Sequence, residues 1–164
     1  MISVEIHFEP VNSQNREQLL RLRVAPGQEG FIETVAECLE EAAQEPCWRP
    51  VAIYDADALI GFAMYCRWQE RREGAEYDRV WLDRLLVDAS CQGKGYGKTC
   101  VPLLLERLKE EYGPREVYLS VYPENQVAAR LYEEFGFRFN GERDLHGEQV
   151  MVRPAKSCSA GGKG

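Results

Sequence analysis

A glycine-rich stretch at residues 90–99, SCQGKGYGKT, contains the residue types in this sequence that point most directly to chemistry. A leucine- and valine-rich run precedes it, and a helical pattern follows it. Its glycines alternate with lysines in the order Gly93, Lys94, Gly95, Gly97 and Lys98. Glycine-rich turns between a strand and a helix bind phosphate groups, because backbone N–H groups converge at the positive end of the helix. The stretch therefore predicts a phosphate-binding loop.

Two common phosphate-binding templates do not fit this spacing. A Walker A loop requires glycine, four residues and then Gly-Lys-Ser/Thr. Gly97-Lys98-Thr99 supplies the end of that motif, but Gln92 stands where its first glycine should be. A dinucleotide fingerprint, G-x-G-x-x-G, begins at Gly93 but would need its third glycine where Lys98 stands. The spacing argues against both kinds of loop.

A third template matches, and with it the chain resembles a known family. Gln92-x-x-Gly95-x-Gly97 fits the Q/R-x-x-G-x-G/A motif of the GCN5-related N-acetyltransferases, the GNAT family. A second motif of that family follows in the right order, as Asn125-x-x-Ala128-x-x-Leu131-Tyr132-x-x-x-Gly136-Phe137. The resemblance extends from Val4 to about Arg153.

This resemblance implies acetyl-CoA as the cosubstrate, without a metal. In the family, the glycine loop wraps the pyrophosphate of coenzyme A, and the strand before it pairs with the pantetheine arm. The amide near Leu85 is expected to polarise the acetyl carbonyl. Carried over by position, the cofactor-binding residues are Leu85, Leu86, Val87, Gln92, Gly93, Lys94, Gly95, Tyr96, Gly97, Lys98, Asn125, Ala128 and Tyr132.

Acetyl transfer to an amine needs a base for the ammonium proton and profits from an acid at the leaving thiolate. The resemblance makes Asp83 the candidate base, acting directly or through water, and Tyr132 the candidate acid. Asp83 could instead pair with Arg84 or Arg79, and Tyr132 could be a core residue. Asn125 is expected to cap its helix as well as to contact coenzyme A.

Covalent catalysis through Cys91 is not expected. A nucleophilic cysteine needs a histidine partner. The sequence offers only His7, in an opening strand, and His146, in a hairpin turn. Direct attack of the amine in a ternary complex requires no covalent step.

Within the family, the segments RVWLDRLLVD and RLYEEFGFRFNGE resemble bacterial spermine/spermidine acetyltransferases. The resemblance implies a polyamine acceptor, held by spaced carboxylates: Glu29, Glu33, Asp78 and Asp83. Two alternatives stay open. The acceptor could be an aminoglycoside, an amino acid or a protein N-terminus, or the chain could be a non-catalytic acyl-CoA-binding module.

Composition agrees with a cytoplasmic globular protein. The 164 residues carry a net charge of −7, which argues against nucleic-acid binding. No signal peptide or membrane span is visible, and none of the six cysteines forms a C-x-x-C pair, so reduced thiols are expected. The resemblance further implies a homodimer.

The elements that must position these residues alternate between strands and helices. The pattern predicts strands at 4–9, 51–55, 58–68, 79–88, 116–122, 137–144 and 148–153, helices at 16–24, 29–45, 98–113 and 124–136, and a polar loop at 69–77. We expect an α/β (α+β) fold, with about seven strands in one mixed sheet that splays at its centre and about four flanking helices. A single domain is predicted over residues 1–153, followed by a flexible tail over 154–164.

Overall fold

The computed structural model describes residues 4–24 and 34–155, and within them it confirms the expected fold class. The strands are β1 (Ile6–Pro10), β2 (Arg49–Asp55), β3 (Ala58–Arg72), β4 (Ala75–Val87), β5 (Val117–Val121), β6 (Arg138–Arg143) and β7 (Gln149–Arg153). The helices are α1 (Arg16–Leu20), α2 (Val35–Gln44), α3 (Tyr96–Tyr112) and α4 (Gln126–Glu133), with a short 3₁₀ turn at Ala89–Cys91.

The strands form one mixed sheet in the order β1-β2-β3-β4-β5-β7-β6. β4 and β5 are parallel and pair at Val80–Val117 and Trp81–Tyr118. The pairs β1–β2, β2–β3, β5–β7 and β6–β7 are antiparallel. This combination confirms the predicted mixed sheet of seven strands.

The chain divides into two compact units. Unit 1 comprises the residues up to 66 together with 83–100, and unit 2 comprises 67–82 and the residues from 101 onward. The core of unit 1 includes Leu19, Val35, Leu39, Ile53, Phe62, Tyr65 and Leu86, and that of unit 2 includes Val80, Leu82, Val101, Leu104, Leu119, Phe137 and Met151. The predicted boundary between a domain at 1–153 and a tail at 154–164 stays a prediction, since residues 156–164 lie outside the described range.

Helix α2 begins later than the predicted helix at 29–45. Thr34 has an extended backbone, and its side chain accepts from the amide of Glu37 while the Glu37 carboxylate accepts from the amide of Thr34. This capping box fixes the first turn at Val35. Helix α1 is also shorter than predicted, since it ends at Leu20 and not at residue 24. Among the described helices, none is both long and apolar enough to cross a membrane.

The predicted loop at 69–77 is wrong, because these residues continue β3 and β4 into a hairpin. Glu73 (φ 50°) and Gly74 (φ 80°) form its two-residue turn, with the positive φ values that tight hairpins require. Arg71 donates to Glu76 at 3.0 Å across the hairpin. Charged pairs of this kind stabilise a strand without producing the alternation of apolar residues that identifies one in a sequence.

Candidate active site

A close backbone approach from β3 positions the end of β4. A β-carbon placed on Gly61 would lie 2.4 Å from the carbonyl oxygen of Leu86, closer than side chains tolerate. The amide of Asp88 also donates to the carbonyl of Ile60 at 2.8 Å. A glycine inside a strand is typical of such an approach. Gly61 is therefore a site residue that motif matching misses, although its position in a strand carries the signal.

Asp88 and Gln92 hold the turn that follows β4. The carboxylate of Asp88 accepts from the amides of Ser90, at 3.1 Å, and Arg23, at 2.8 Å. The side-chain amide of Gln92 donates to the carbonyl of Val87 at 2.7 Å. The glutamine of the first motif thus fastens the loop to the strand end. Asp88, which the motif does not include, supplies a second attachment.

The glycine loop leads directly into α3. Gly93 (φ 80°) and Gly95 (φ 79°) adopt left-handed conformations that favour glycine, and both are exposed. No atom lies within 4 Å of a β-carbon built on either residue, so the loop surface is open. The first backbone bond of α3 runs from Thr99 to Gly95, at 3.2 Å, and the amides before it lack intrahelical acceptors by the geometry of any helix. These features fit a diphosphate group bound by main-chain donors.

Tyr96 anchors the start of α3 to the end of β2. Its hydroxyl donates to Asp55 at 2.6 Å, and this hydrogen bond raises the pKa of Tyr96 to about 12. The same bond, together with the amide of Glu5, lowers the pKa of Asp55. The Tyr96 side chain therefore holds the helix in place, and its hydroxyl stays protonated at neutral pH.

Asp83, the candidate base, lies on β4 in a group of charged side chains. Its carboxylate accepts a hydrogen bond from Arg84, which also donates to Glu41 of α2 at 2.9 Å. The alternative partner, Arg79, instead makes a bidentate pair with Glu142 at 2.8 and 2.9 Å. The pairing of Asp83 with Arg84, which the sequence left open as an alternative to the role of base, is therefore present, and that role stays a prediction. Because the Asp83 side chain retains 18% exposure, it is accessible to a reactant.

Residues of the second motif lie on α4 and just beyond it, in unit 2. Asn125 is buried, and its side chain accepts from the amide of Ala128 at 3.3 Å, which confirms the predicted helix cap. The Tyr132 ring meets Phe137 edge-on at 5.7 Å. Phe137 is fully buried, whereas Tyr132 is only partly buried. Packing against Phe137 orients the phenol without enclosing it in the core.

The predicted acceptor residues have different surroundings. Asp78 pairs with Arg67 at 2.8 and 3.0 Å and with Arg115 at 3.2 and 3.3 Å. These guanidinium groups, Arg67 first, strongly lower the pKa of Asp78. Two arginines on one carboxylate favour a structural role for Asp78 over ammonium binding. Glu29 and Glu33 lie outside the described residues.

The described cysteines are free thiols: Cys38, Cys47, Cys66, Cys91 and Cys100. The ring of His7 is hydrogen-bonded to the Glu9 carboxylate at 3.0 Å and stacks on Tyr54, which explains it as a surface contact of β1. His146 lies in the β6–β7 turn, where its amide donates to Asp144. These contacts give both histidines roles unrelated to Cys91.

One group of side chains in the described part of the chain could hold a metal ion: Asp144, His146 and Glu148, whose ligand atoms lie within 4.8 Å of one another. Asp144 accepts from the amides of His146 and Glu148, both at 2.9 Å. Ser120 donates to Asp144 at 3.4 Å and to Glu148 at 3.1 Å. Through these hydrogen bonds, the carboxylates of Asp144 and Glu148 stabilise the hairpin turn.

The structure thus groups the predicted residues by unit. Asp83, the end of β4 and the glycine loop lie in unit 1, where a hydrogen bond from Gln92 to Val87 joins the loop to the strand end. Asn125, Ala128 and Tyr132 lie together in unit 2. Gly61, Asp88, Asp55 and Arg84 are the supporting residues that the motifs alone do not identify.

This chain is similar to known acetyltransferases. The family model described as the acetyltransferase (GNAT) family matches residues 14–137. A spermine/spermidine N(1)-acetyltransferase of Bacillus subtilis (strain 168) is 42% identical over 150 residues, which cover 92% of this chain and 99% of the relative.

Solved structures agree on the fold. An aminoglycoside acetyltransferase in complex with coenzyme A matches with a TM-score of 0.72 at 23% identity, covering 92% of this chain and 95% of the other. Spermidine N-acetyltransferase from Vibrio cholerae, in complex with CoA and spermine, matches with a TM-score of 0.64 at 18% identity, covering 90% and 93%.

Proposed function

Since this chain belongs to the GNAT family and is an acetyl-CoA-dependent N-acetyltransferase, we propose that its acceptor is a polyamine such as spermidine or spermine. The observation that supports this proposal most strongly is the 42% identity to a spermine/spermidine acetyltransferase, over nearly the full length of both chains. A cytoplasmic location, which rests on composition, and a homodimer, which rests on the resemblance, belong to the same proposal.

Acetyl-CoA supplies an activated acetyl thioester. In our proposal, the main chain of Gly93–Lys98 binds its pyrophosphate, and the main chain of Leu85–Val87 holds the pantetheine arm. The left-handed glycines and the exposed start of α3 support this assignment. Asn125 and Ala128 complete the proposed contacts, and Gln92 acts by fastening the loop to Val87.

The chemistry is assigned to three groups. Asp83, directly or through water, removes the ammonium proton so that the neutral amine can attack the thioester carbonyl. The amide of Leu85 donates a hydrogen bond to the oxygen that gains charge during the attack. Tyr132 donates its phenolic proton to the sulfur as the carbon–sulfur bond breaks, and the second proton that the nitrogen loses on becoming an amide restores the phenol. The products are the acetylated amine and the thiol of coenzyme A, with one net proton released.

A polyamine acceptor suits the acidic character of the chain. An oligocation is attracted to carboxylates, and the protein carries 27 acidic against 20 basic side chains. Among the acidic residues predicted to bind the acceptor, Asp83 lies in the described part of the chain, and we keep it in the proposed acceptor site. Glu29 and Glu33 stay predictions. Asp78 is omitted because Arg67 and Arg115 already pair with it.

The proposal is tested by an acceptor panel in which CoA thiol release is followed at fixed acetyl-CoA. We expect kcat/KM for spermidine and spermine to exceed that for lysine, kanamycin and a peptide N-terminus by about 100-fold or more. A preference for kanamycin or the peptide would refute the polyamine assignment. Tight acetyl-CoA binding without turnover of any amine would favour a non-catalytic module.

A further inference from the structure

Arg84 connects two carboxylates that come from separate elements of unit 1. One of its terminal nitrogens donates to Asp83 of β4, and the other donates to Oε1 of Glu41 on α2, at 2.9 Å. The exposed fraction is 13% for the Arg84 side chain, 18% for Asp83 and 43% for Glu41. A guanidinium carries its donors in a rigid planar fork, so the direction of one hydrogen bond restricts the other.

The hydrogen bond to Glu41 helps to hold the Arg84 side chain in the geometry that reaches Asp83. Neighbouring residues on an extended strand project to opposite faces, so Arg84 reaches Asp83 only by folding its long side chain back. An arginine side chain loses considerable rotamer entropy when it is held in one such geometry. The hydrogen bond to Glu41 provides the second attachment that offsets this loss. Asp83 is therefore oriented by a residue 42 positions earlier in the chain, acting through Arg84.

The charges of the group also suit a cationic acceptor. Arg84 alone would favour the ionised form of Asp83 but would cancel its attraction for an ammonium group. Glu41 adds a second negative charge, so the three side chains together carry one net negative charge. The group thus offers a net negative charge to a cationic acceptor.

Among the described residues, the thiol of Cys66 lies near both Asp83 and Glu41. Cys66 of β3 is fully buried, and burial, followed by neighbouring Cys47, Asp83 and Glu41, raises the pKa of its thiol. Burial likewise raises the pKa of Cys47, which is hydrogen-bonded to Cys66.

We infer that Arg84 is a positioning residue for acceptor deprotonation, anchored by Glu41 and fixing the Asp83 carboxylate toward the amine. This inference rests on the proposed function, because it assumes that Asp83 is the base. It assigns Glu41 a role in catalysis that neither motif of the family predicts, since Glu41 lies outside both.

The test is a double-mutant cycle of Glu41→Gln and Asp83→Asn, with Glu40→Gln as the matched control. Glu40 lies on the same helix and loses the same charge, but its side chain is exposed. We expect Glu41→Gln to lower kcat/KM for spermidine about fivefold, with the KM for acetyl-CoA unchanged, and Glu40→Gln to have no effect. In the Asp83→Asn background, Glu41→Gln should cause no further loss.

The outcomes separate this inference from the function on which it rests. If Asp83→Asn lowers activity and Glu41→Gln has no effect or an additive effect, the positioning role is refuted while the base stands. If Asp83→Asn itself has no effect, the proposed role of Asp83 as base is refuted, and the inference falls with it.

A second measurement uses Arg84→Met, which removes the positive charge beside Asp83. The acid limb of its pH profile for kcat/KM should move to higher pH, and an unmoved limb would refute the inference.

Discussion

Replacing Tyr132 with phenylalanine is expected to lower kcat about 100-fold and to leave acetyl-CoA affinity unchanged. General acid catalysis contributes about two to four orders of magnitude to a rate. Phenylalanine retains the ring that packs edge-on against Phe137 at 5.7 Å, so the loss should be confined to the phenolic proton. The measurements are steady-state kcat with spermidine and the dissociation constant of acetyl-CoA from titration calorimetry.

Tyr118→Phe provides the matched control for this variant. Tyr118 belongs to the same unit, and its hydroxyl donates at 2.9 Å to Glu116, just before β5. Removing that hydroxyl should leave kcat unchanged. A Tyr132→Phe enzyme with wild-type kcat would contradict the role of Tyr132 as acid. A parallel loss of acetyl-CoA affinity would show that Tyr132 acts in binding instead.

Replacing Asp83 with asparagine is expected to lower kcat/KM for spermidine about 100-fold near neutral pH. An alkylammonium has a pKa near 10.4, so almost none of the amine is neutral at pH 7 without assistance. As the pH rises toward that value, more of the amine loses its proton to water. The deficit of the variant should therefore shrink with increasing pH, which a pH profile of kcat/KM measures directly.

Two further variants separate catalysis from structure at this position. Asp83→Glu retains a carboxylate and should recover part of the lost rate, since glutamate can still accept a proton. Asp57→Asn removes an exposed carboxylate from the turn between β2 and β3 and should change nothing. If the deficit of Asp83→Asn were the same at every pH, Asp83 would support the strand and would not act as the base.

Local chemistry explains which parts of this structure the sequence could predict. Gly93 and Gly95 occupy left-handed conformations that favour glycine, and Asn125 caps a helix. Each of these conformations favours a particular residue type, so the residue itself marks the feature in the sequence. The capping box of Thr34 and Glu37 carries a comparable signal, T-x-x-E, although hydrophobic periodicity suggested an earlier helix start. Elements defined by such local rules can be located from spacing alone.

Contacts between distant residues could not be predicted in this way. Arg84 meets Glu41 and Tyr96 meets Asp55 across more than forty residues, and nothing in the local sequence specifies either partner. The hairpin at 69–77 shows the same limit at short range. Its polar residues pair across the strands, as Arg71 does with Glu76, so they lack the alternation of apolar residues that identifies a strand.

Mass spectrometry of a complete reaction tests the central claim most directly. Purified protein is mixed with limiting acetyl-CoA and excess spermidine, and acetylspermidine, free CoA and intact protein mass are quantified together. Direct transfer to a polyamine predicts one acetylspermidine for each CoA released and no acetylated protein, with or without amine. CoA release without acetylspermidine, or an acetyl-enzyme that forms before the amine is added, would contradict it.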